Sequence, residues 1–413
     1  MRPLNEPLTL RSGAVIKNRL LKSAMSEALG DPRHDSTESL VRLYRTWAQG
    51  GIGLCVTGNV MVDRTALGEP GNVVFDDLTE TDLVADWAAA AGENQTAAWV
   101  QLNHPGKQTP AFLTSEPVAP SPIPLGKGLE YAFNTPRELS HTEILEIVAA
   151  FARAAQIVKQ AGFGGVQIHG AHGYLVSQFL SPHHNQRTDS WGGDAHRRLA
   201  FPLAVYNAIR AAVGPDFPIG IKLNSADFRK SGLTAEEAMA AAVALDGAGI
   251  DLIEVSGGTY ESPVMMGRSL TPEQKQKEAY FLAFAEQLRG HIDGAALCVT
   301  GGFRSAQAMD AALRSGAIDL VGMARPMCVV PDAPNHLLSD PSYVCPSPRP
   351  STGIKGLDKA FALDVTWFEQ QLTRIGRGDA PNPKMGAWTS TFLTVRNAGM
   401  QAFKMRRARG NQP

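Results

Sequence analysis

Eight short apolar runs, at 19–24, 52–57, 97–102, 165–169, 218–223, 251–256, 296–300 and 318–323, recur along the chain. Between them, at 36–49, 79–94, 141–161, 196–213, 234–248, 272–288 and 305–315, apolar residues return every three or four positions, which is helical spacing. Strict alternation of strand and helix requires parallel strands joined by crossover helices. The runs are apolar almost throughout, so both faces of each strand must be covered. Eight such units are expected to close into a (β/α)8 TIM barrel rather than spread into an open doubly wound sheet.

Helix-start chemistry supports this division: Ser140-x-x-Glu143 and Thr234-x-x-Glu237 read as capping boxes, and Thr79-x-x-Asp82 as a weaker version. Three segments fall outside the repeat. Residues 8–16, with Ser12-Gly13 at the turn, read as a hairpin capping the bottom of the barrel. Residues 107–139, rich in Pro and Gly, are a long loop after strand three and are expected to form a lid or substrate wall. Beyond Pro331 come a Pro-rich stretch, a helical piece at 359–375 and a basic tail at 404–409. The expected organisation is a barrel over 1–335 and a C-terminal extension over 336–413, packed on the barrel or on a neighbouring subunit of a homo-oligomer.

Composition narrows the partners. A formal charge of -1 gives no electrostatic reason to expect nucleic acid or a membrane surface. The N-terminus lacks an apolar signal segment, and no run approaches the roughly 20 apolar residues of a membrane helix. A cytoplasmic enzyme acting on small molecules is the expectation. The 4 cysteines, Cys55, Cys298, Cys328 and Cys345, are widely spaced with no C-x-x-C pair, so neither a structural zinc site nor an iron–sulfur cluster is readable. Cys55 and Cys298 lie in apolar runs and read as small buried hydrophobes.

Chemistry concentrates where the fourth run ends. Val166-Gln-Ile-His169-Gly-Ala-His172-Gly-Tyr174 places two imidazoles and a phenol where a buried strand opens into a loop, the end at which barrels keep their active sites. A metal site would need a third protein ligand, and no Asp, Glu or Cys stands nearby in phase, so a pair of donors aimed at one oxygen is the better reading. Barrels place phosphates in the loops after strands seven and eight. There stand Thr300-Gly301-Gly302-Phe303 and Gly322-Met323-Ala324-Arg325, whose glycines admit backbone amides to phosphate oxygens and whose arginine supplies charge. Lys222, in an otherwise apolar fifth run, needs an anionic partner if buried.

The run from Val166 to Pro182, continued through Asn185, Arg187, Thr188 and Asp189 to Trp191-Gly192-Gly193, resembles the signature of the Old Yellow Enzyme family of flavin-dependent ene-reductases. The resemblance extends over about 1–330. It implies bound FMN, reduced by NADPH or NADH, and substrates that are activated alkenes: α,β-unsaturated carbonyl or nitro compounds. His169 and His172 would grip the substrate oxygen, and Tyr174 would protonate the α-carbon. Ser23, Ala24, Met25 and Ser26 would lie under or beside the flavin, with Ser26 near O4. Gly58 would be the small residue against the ring, Gln101 would bond the pyrimidine edge, and Lys222 would stand near N1 where relatives carry Arg. Gly301, Gly302, Met323, Ala324 and Arg325 would hold the phosphate. The Asn185 to Gly193 stretch is read as a lock on the Tyr174 loop. Ala28 replaces an aromatic found in some relatives and predicts a wider pocket.

Rival readings are a 2,4-dienoyl-CoA reductase-like or amine dehydrogenase-like flavoenzyme, against which the missing cysteine cluster and short C-terminal region argue. Others are a barrel lyase or hydrolase acting on a phosphorylated substrate with a metal on the histidines, and a flavin-binding protein without turnover.

Overall fold

The structure is a computed structural model that describes residues 2–126, 128–229, 231–257 and 281–397. Its centre is a closed barrel of eight parallel strands: β1 (Leu20–Lys22), β2 (Leu54–Met61), β3 (Ala97–Asn103), β4 (Gly165–Gly170), β5 (Ile219–Asn224), β6 (Leu252–Ser256), β7 (Ala296–Thr300) and β8 (Leu320–Met323). Each strand pairs with its sequence neighbours, and β8 and β2 both pair with β1 to close the ring. All eight sequence runs became barrel strands.

The crossover helices are α1 (Glu38–Gln49), α2 (Thr81–Ala91), α3 (His141–Gln160), α4 (Ala200–Val213), α5 (Ala235–Ala248), α6 (Leu282–Arg289) and α7 (Ala306–Arg314). Ser140 and Thr234 form complete capping boxes with Glu143 and Glu237. Thr79 does not cap α2, which starts two residues later after Glu80; its hydroxyl accepts from the Asp76 amide instead and closes the preceding turn. The 196–213 segment divides into a short helix Ala195–Arg198 and α4. The start of the 272–288 segment, and the basic tail, lie outside the described residues.

Inward positions along the strands follow a period of two. At the N-terminal end they are apolar: Leu21, Leu54, Val56, Trp99, Leu252, Cys298 and Leu320 form one buried cluster. The hairpin strands Leu8–Thr9 and Val15–Ile16 close this end, and Leu10 and Ile16 join the cluster, each buried side chain contributing about 1.5–3 kcal/mol. Two residues further on, the same inward positions turn polar: Ser23, Gln101, Lys222, Glu254 and Thr300, all but Thr300 buried. The bottom is therefore a packed plug and the C-terminal mouth a polar site.

After β8 the chain forms helix α8 (Leu363–Gly376), which buries Leu363, Trp367, Phe368, Leu372 and Ile375. It lies along α1, where Arg42 Nε donates to the Gly376 carbonyl at 2.8 Å. The four cysteines are buried, and burial pushes the Cys55 thiol up to about 12, consistent with small buried hydrophobes.

Candidate active site

Two cavities open at the C-terminal mouth and share Ala24, His172, Lys222, Ala324, Arg325 and Asp364, so they are two ends of one trough. One end, of about 340 Å³, is lined by Gly301, Gly302, Phe303, Met323 and Ala324. Gly301 and Gly302 have φ of 129° and 95°, values that side-chain-bearing residues rarely adopt, so only glycine leaves this backbone open to a ligand. Arg304, Arg325, Arg349 and Lys222 face it against one carboxylate, Asp364. An anion fits this end by shape and by charge.

The other end, of about 220 Å³, is lined by Met25, Ser26, Asn59, Gln101, His169 and Tyr174. Strand register explains the assembly. Lys222 stands level with His169 on one side and with Glu254 on the other. Glu254 is the anion that the buried lysine required: Lys222 Nζ is 3.1 Å from its carboxylate. Thr300 Oγ1 donates to Glu254 at 2.6 Å, Gln167 Nε2 donates at 2.7 Å, and the Ser23 hydroxyl also donates to it. Burial raises the Glu254 carboxyl, but Lys222 and these three donors outweigh it and hold the group below the usual carboxylate range. Gln101 joins the network by donating to Gln167 at 2.7 Å.

His172 has φ of 61° and Gly173 81°, a left-handed pair that folds the loop back so that His172 faces His169. Asn224 and Gln108 hold the His172 backbone at its amide and carbonyl. The rings do not simply converge on an empty point. His169 Nε2 is 3.1 Å from His172 Nδ1, His169 Nδ1 is 2.7 Å from Asn59 Oδ1, and His172 Nε2 is 2.9 Å from Ser256 Oγ. Burial, with the Lys222 cation nearby, lowers both imidazoles, His172 to about 3, so the rings are neutral at pH 7. The Tyr174 ring packs 4.7 Å from the His169 ring, centroid to centroid.

Two expectations require correction. Gly58 lines neither end of the trough. It sits in a register shift of β2, and a Cβ there would lie 2.5 Å from the Met25 carbonyl oxygen, so its smallness serves the packing of the β1 loop. No described residue of 107–139 lines the trough: Gln108 donates to the His172 carbonyl, and Thr109, Thr114, Pro117, Val118, Arg137 and Leu139 line a separate cleft of about 480 Å³ beside α3. Helix α8 supplies the wall instead, through Asp364, Val365, Phe368 and Leu372. It is tied down where Ser26 Oγ meets Glu69 and Glu369 at 2.6 and 2.7 Å. One hydroxyl proton cannot serve two carboxylates, so one of the pair keeps its proton, and burial raises both. Ser26 thus lines the trough while its hydroxyl is engaged with these acids. Asn185 Nδ2 donates to the Phe179 and Trp191 carbonyls, and Arg187 to those of Pro120 and Leu139, as a loop lock does.

Glu254, Gln167, Asn59 and Ser256 were not singled out in the sequence. A lone Glu in Asp251-Leu-Ile-Glu-Val looks like an outward position, and only its strand-mate Lys222 signals otherwise.

A barrel with an anion cradle after β7 and β8, and an imidazole pair beside it, suits an oxidoreductase that binds a phosphorylated flavin. The chain belongs to the NADH:flavin oxidoreductase / NADH oxidase family, whose pattern matches residues 3–340, and this is the Old Yellow Enzyme kinship that its motifs indicate. FMN and a reduced nicotinamide are its cofactors. An NADH-dependent flavin oxidoreductase of Neonectria sp. is 38% identical over 89% of this chain and 51% of its own length. The chain thus spans about half of that relative. Another, of Hypocrea jecorina, is 36% identical over 83% of this chain and 92% of its own. The structure of morphinone reductase with tetrahydroNAD is 26% identical, covers 84% of this chain and 93% of its own, and superposes with a TM-score of 0.69. No helix among the described residues is long and apolar enough to cross a membrane.

The cradle's shape and charge suit a phosphate, and Gly301, Gly302, Ala324 and Arg325 are the residues that would hold that of FMN. Arg325→Ala is expected to weaken FMN binding roughly tenfold or more, the value of a charge-assisted contact, while leaving riboflavin binding nearly unchanged. Quenching of flavin fluorescence on titrating the apoprotein measures both, and equal losses for the two ligands would remove Arg325 from the phosphate.

Proposed function

We propose that the protein is an ene-reductase, reducing the C=C bond of α,β-unsaturated carbonyl or nitro compounds at the expense of NADH or NADPH. The observation that carries this reading is the neutral His169–His172 pair with Tyr174 packed against it, on the same trough as Lys222 and the cradle. Bound FMN would supply the redox chemistry, taking hydride from the nicotinamide and giving it to the β-carbon of the alkene.

The chain's own residues do the rest. Neutral imidazoles donate hydrogen bonds to the substrate oxygen without holding a full positive charge, and these bonds strengthen as enolate-like charge develops there. Tyr174 delivers the proton to the α-carbon; a phenol keeps its proton until the carbon becomes basic enough to take it. Lys222, fixed by Glu254 and Ser23, places positive charge on the flavin side of the trough, where reduction adds negative charge. Val365, Phe368 and Leu372 give the site an apolar wall that suits uncharged substrates.

An anaerobic visible spectrum tests the reading. Flavin bands should bleach on adding NADH or NADPH and return on adding 2-cyclohexenone. Purified protein that takes up no FMN, or reduced protein that the enone does not reoxidise, sinks it.

A further inference from the structure

The four ring nitrogens of His169 and His172 are all engaged, in a chain running Ser256, His172, His169, Asn59 with steps of 2.9, 3.1 and 2.7 Å. Two neutral rings carry two N–H groups and two lone pairs. The contact between His169 Nε2 and His172 Nδ1 uses one of each. An oxygen held by both rings at that point needs an N–H on both atoms, so one ring must change tautomer when the oxygen arrives.

The outer partners decide which ring can. Asn59 Oδ1 faces His169 Nδ1 and accepts its proton, which leaves His169 Nε2 as a lone pair accepting from His172 Nδ1–H, while the Ser256 hydroxyl donates to His172 Nε2. In this arrangement His172 already presents the N–H that an oxygen would need, and His169 does not. An amide carries an acceptor and a donor at equal reach, so half a turn of the Asn59 side chain presents Nδ2–H to His169 Nδ1 and supports the other tautomer. The backbone puts Asn59 in place for this. It is the first residue after the register shift in β2, the kind of irregularity that re-aims a side chain, and it stands level with Gln101 on the trough.

We propose that Asn59 is a positioning residue for the donor pair: its amide turns over when a carbonyl oxygen binds, switching His169 from the Nδ1–H to the Nε2–H form so that both imidazoles donate. One proton leaves Nδ1 and one is gained at Nε2 by exchange with solvent, with no change in net charge. The inference rests on the reading of this pair as the oxygen anchor.

The test is nitrogen NMR of 15N-histidine-labelled, FMN-loaded oxidised protein, without ligand and saturated with 2-cyclohexenone. The His169 proton is expected on Nδ1 in the free protein and on Nε2 in the complex. Asn59→Leu, of similar size but without hydrogen-bonding atoms, should lose the single free-state tautomer and raise KM for 2-cyclohexenone roughly tenfold, the value of one lost hydrogen bond, with a smaller change in kcat. A His169 proton that stays on Nδ1 in the saturated complex, or an Asn59→Leu protein with unchanged tautomers and KM, overturns the role of Asn59 and leaves the ene-reductase reading standing. Failure of 2-cyclohexenone to bind or to reoxidise the reduced protein overturns that reading itself.

Discussion

Glu254→Leu should lower the thermal stability of the FMN-free protein by about 3–5 kcal/mol, because it leaves a buried cation without its anion. Lys222 is 2% exposed, and its nearest carboxylate oxygen is that of Glu254, at 3.1 Å. The variant also strips acceptors from the Ser23 and Thr300 hydroxyls and from the Gln167 amide. For a chain of this length the expected fall in Tm is roughly 5 °C. Glu254→Gln, which keeps one acceptor oxygen for the Ser23 and Thr300 hydroxyls but loses the charge and the acceptor that Gln167 uses, should fall between the variant and the parent protein.

The pH dependence of that difference follows from the direction of the Glu254 shift. Its folded-state carboxyl lies below the ordinary value, so its contribution is fully present above the unfolded pKa of about 4.3 and is lost as pH falls through the lower folded value. The gap in Tm between parent and Glu254→Leu should therefore hold from pH 7 down to about 5 and narrow in more acidic solution. Scanning calorimetry across that range measures it. A gap that is absent at pH 7, or that widens on acidification, would mean that the Glu254 charge is not what stabilises this part of the barrel.

Why the sequence reveals Lys222 but not Glu254 is a matter of periodicity. The barrel's inward positions change character along each strand, apolar at Trp99, Leu252 and Cys298 and polar two residues later at Gln101, Glu254 and Thr300. A near-continuous apolar run gives no phase, so which side a single polar residue faces cannot be read from its own strand. The architecture itself was legible because alternation of strand and helix depends only on local pattern, as were the capping boxes at Ser140 and Thr234. Thr79 failed because its hydroxyl found a closer backbone partner in the preceding turn. The wall from α8 was hidden for another reason: Ser26 and Glu369 are 343 residues apart, and no spacing rule links them. Gly58 was assigned to the ring contact because a small residue was expected there, but the register shift in β2 turns it toward Met25 and Glu27. The same shift brings Asn59 to the trough, a residue that carried no signal of its own.

Under the proposed function, Tyr174→Phe should separate the two halves of the reaction. The phenylalanine keeps the ring that packs 4.7 Å from His169 and removes only the hydroxyl, so folding, FMN binding and the shape of the trough should be preserved. Bleaching of the flavin by NADH or NADPH moves a hydride and needs no proton from the phenol, so its rate should stay within a few-fold of the parent. Reoxidation by 2-cyclohexenone should slow by on the order of 10²- to 10⁴-fold, the usual worth of a positioned general acid. Because the lost interaction forms only as the α-carbon takes its proton, kcat and kcat/KM for the enone should fall together, with little effect on enone binding. Stopped-flow measurement of each half separately is the check. Equal slowing of both would point to a disturbed flavin site rather than a missing acid. Reoxidation at the parental rate would pass the proton to another donor, and water reaching the α-carbon through the mouth of the trough would then be the group to trace.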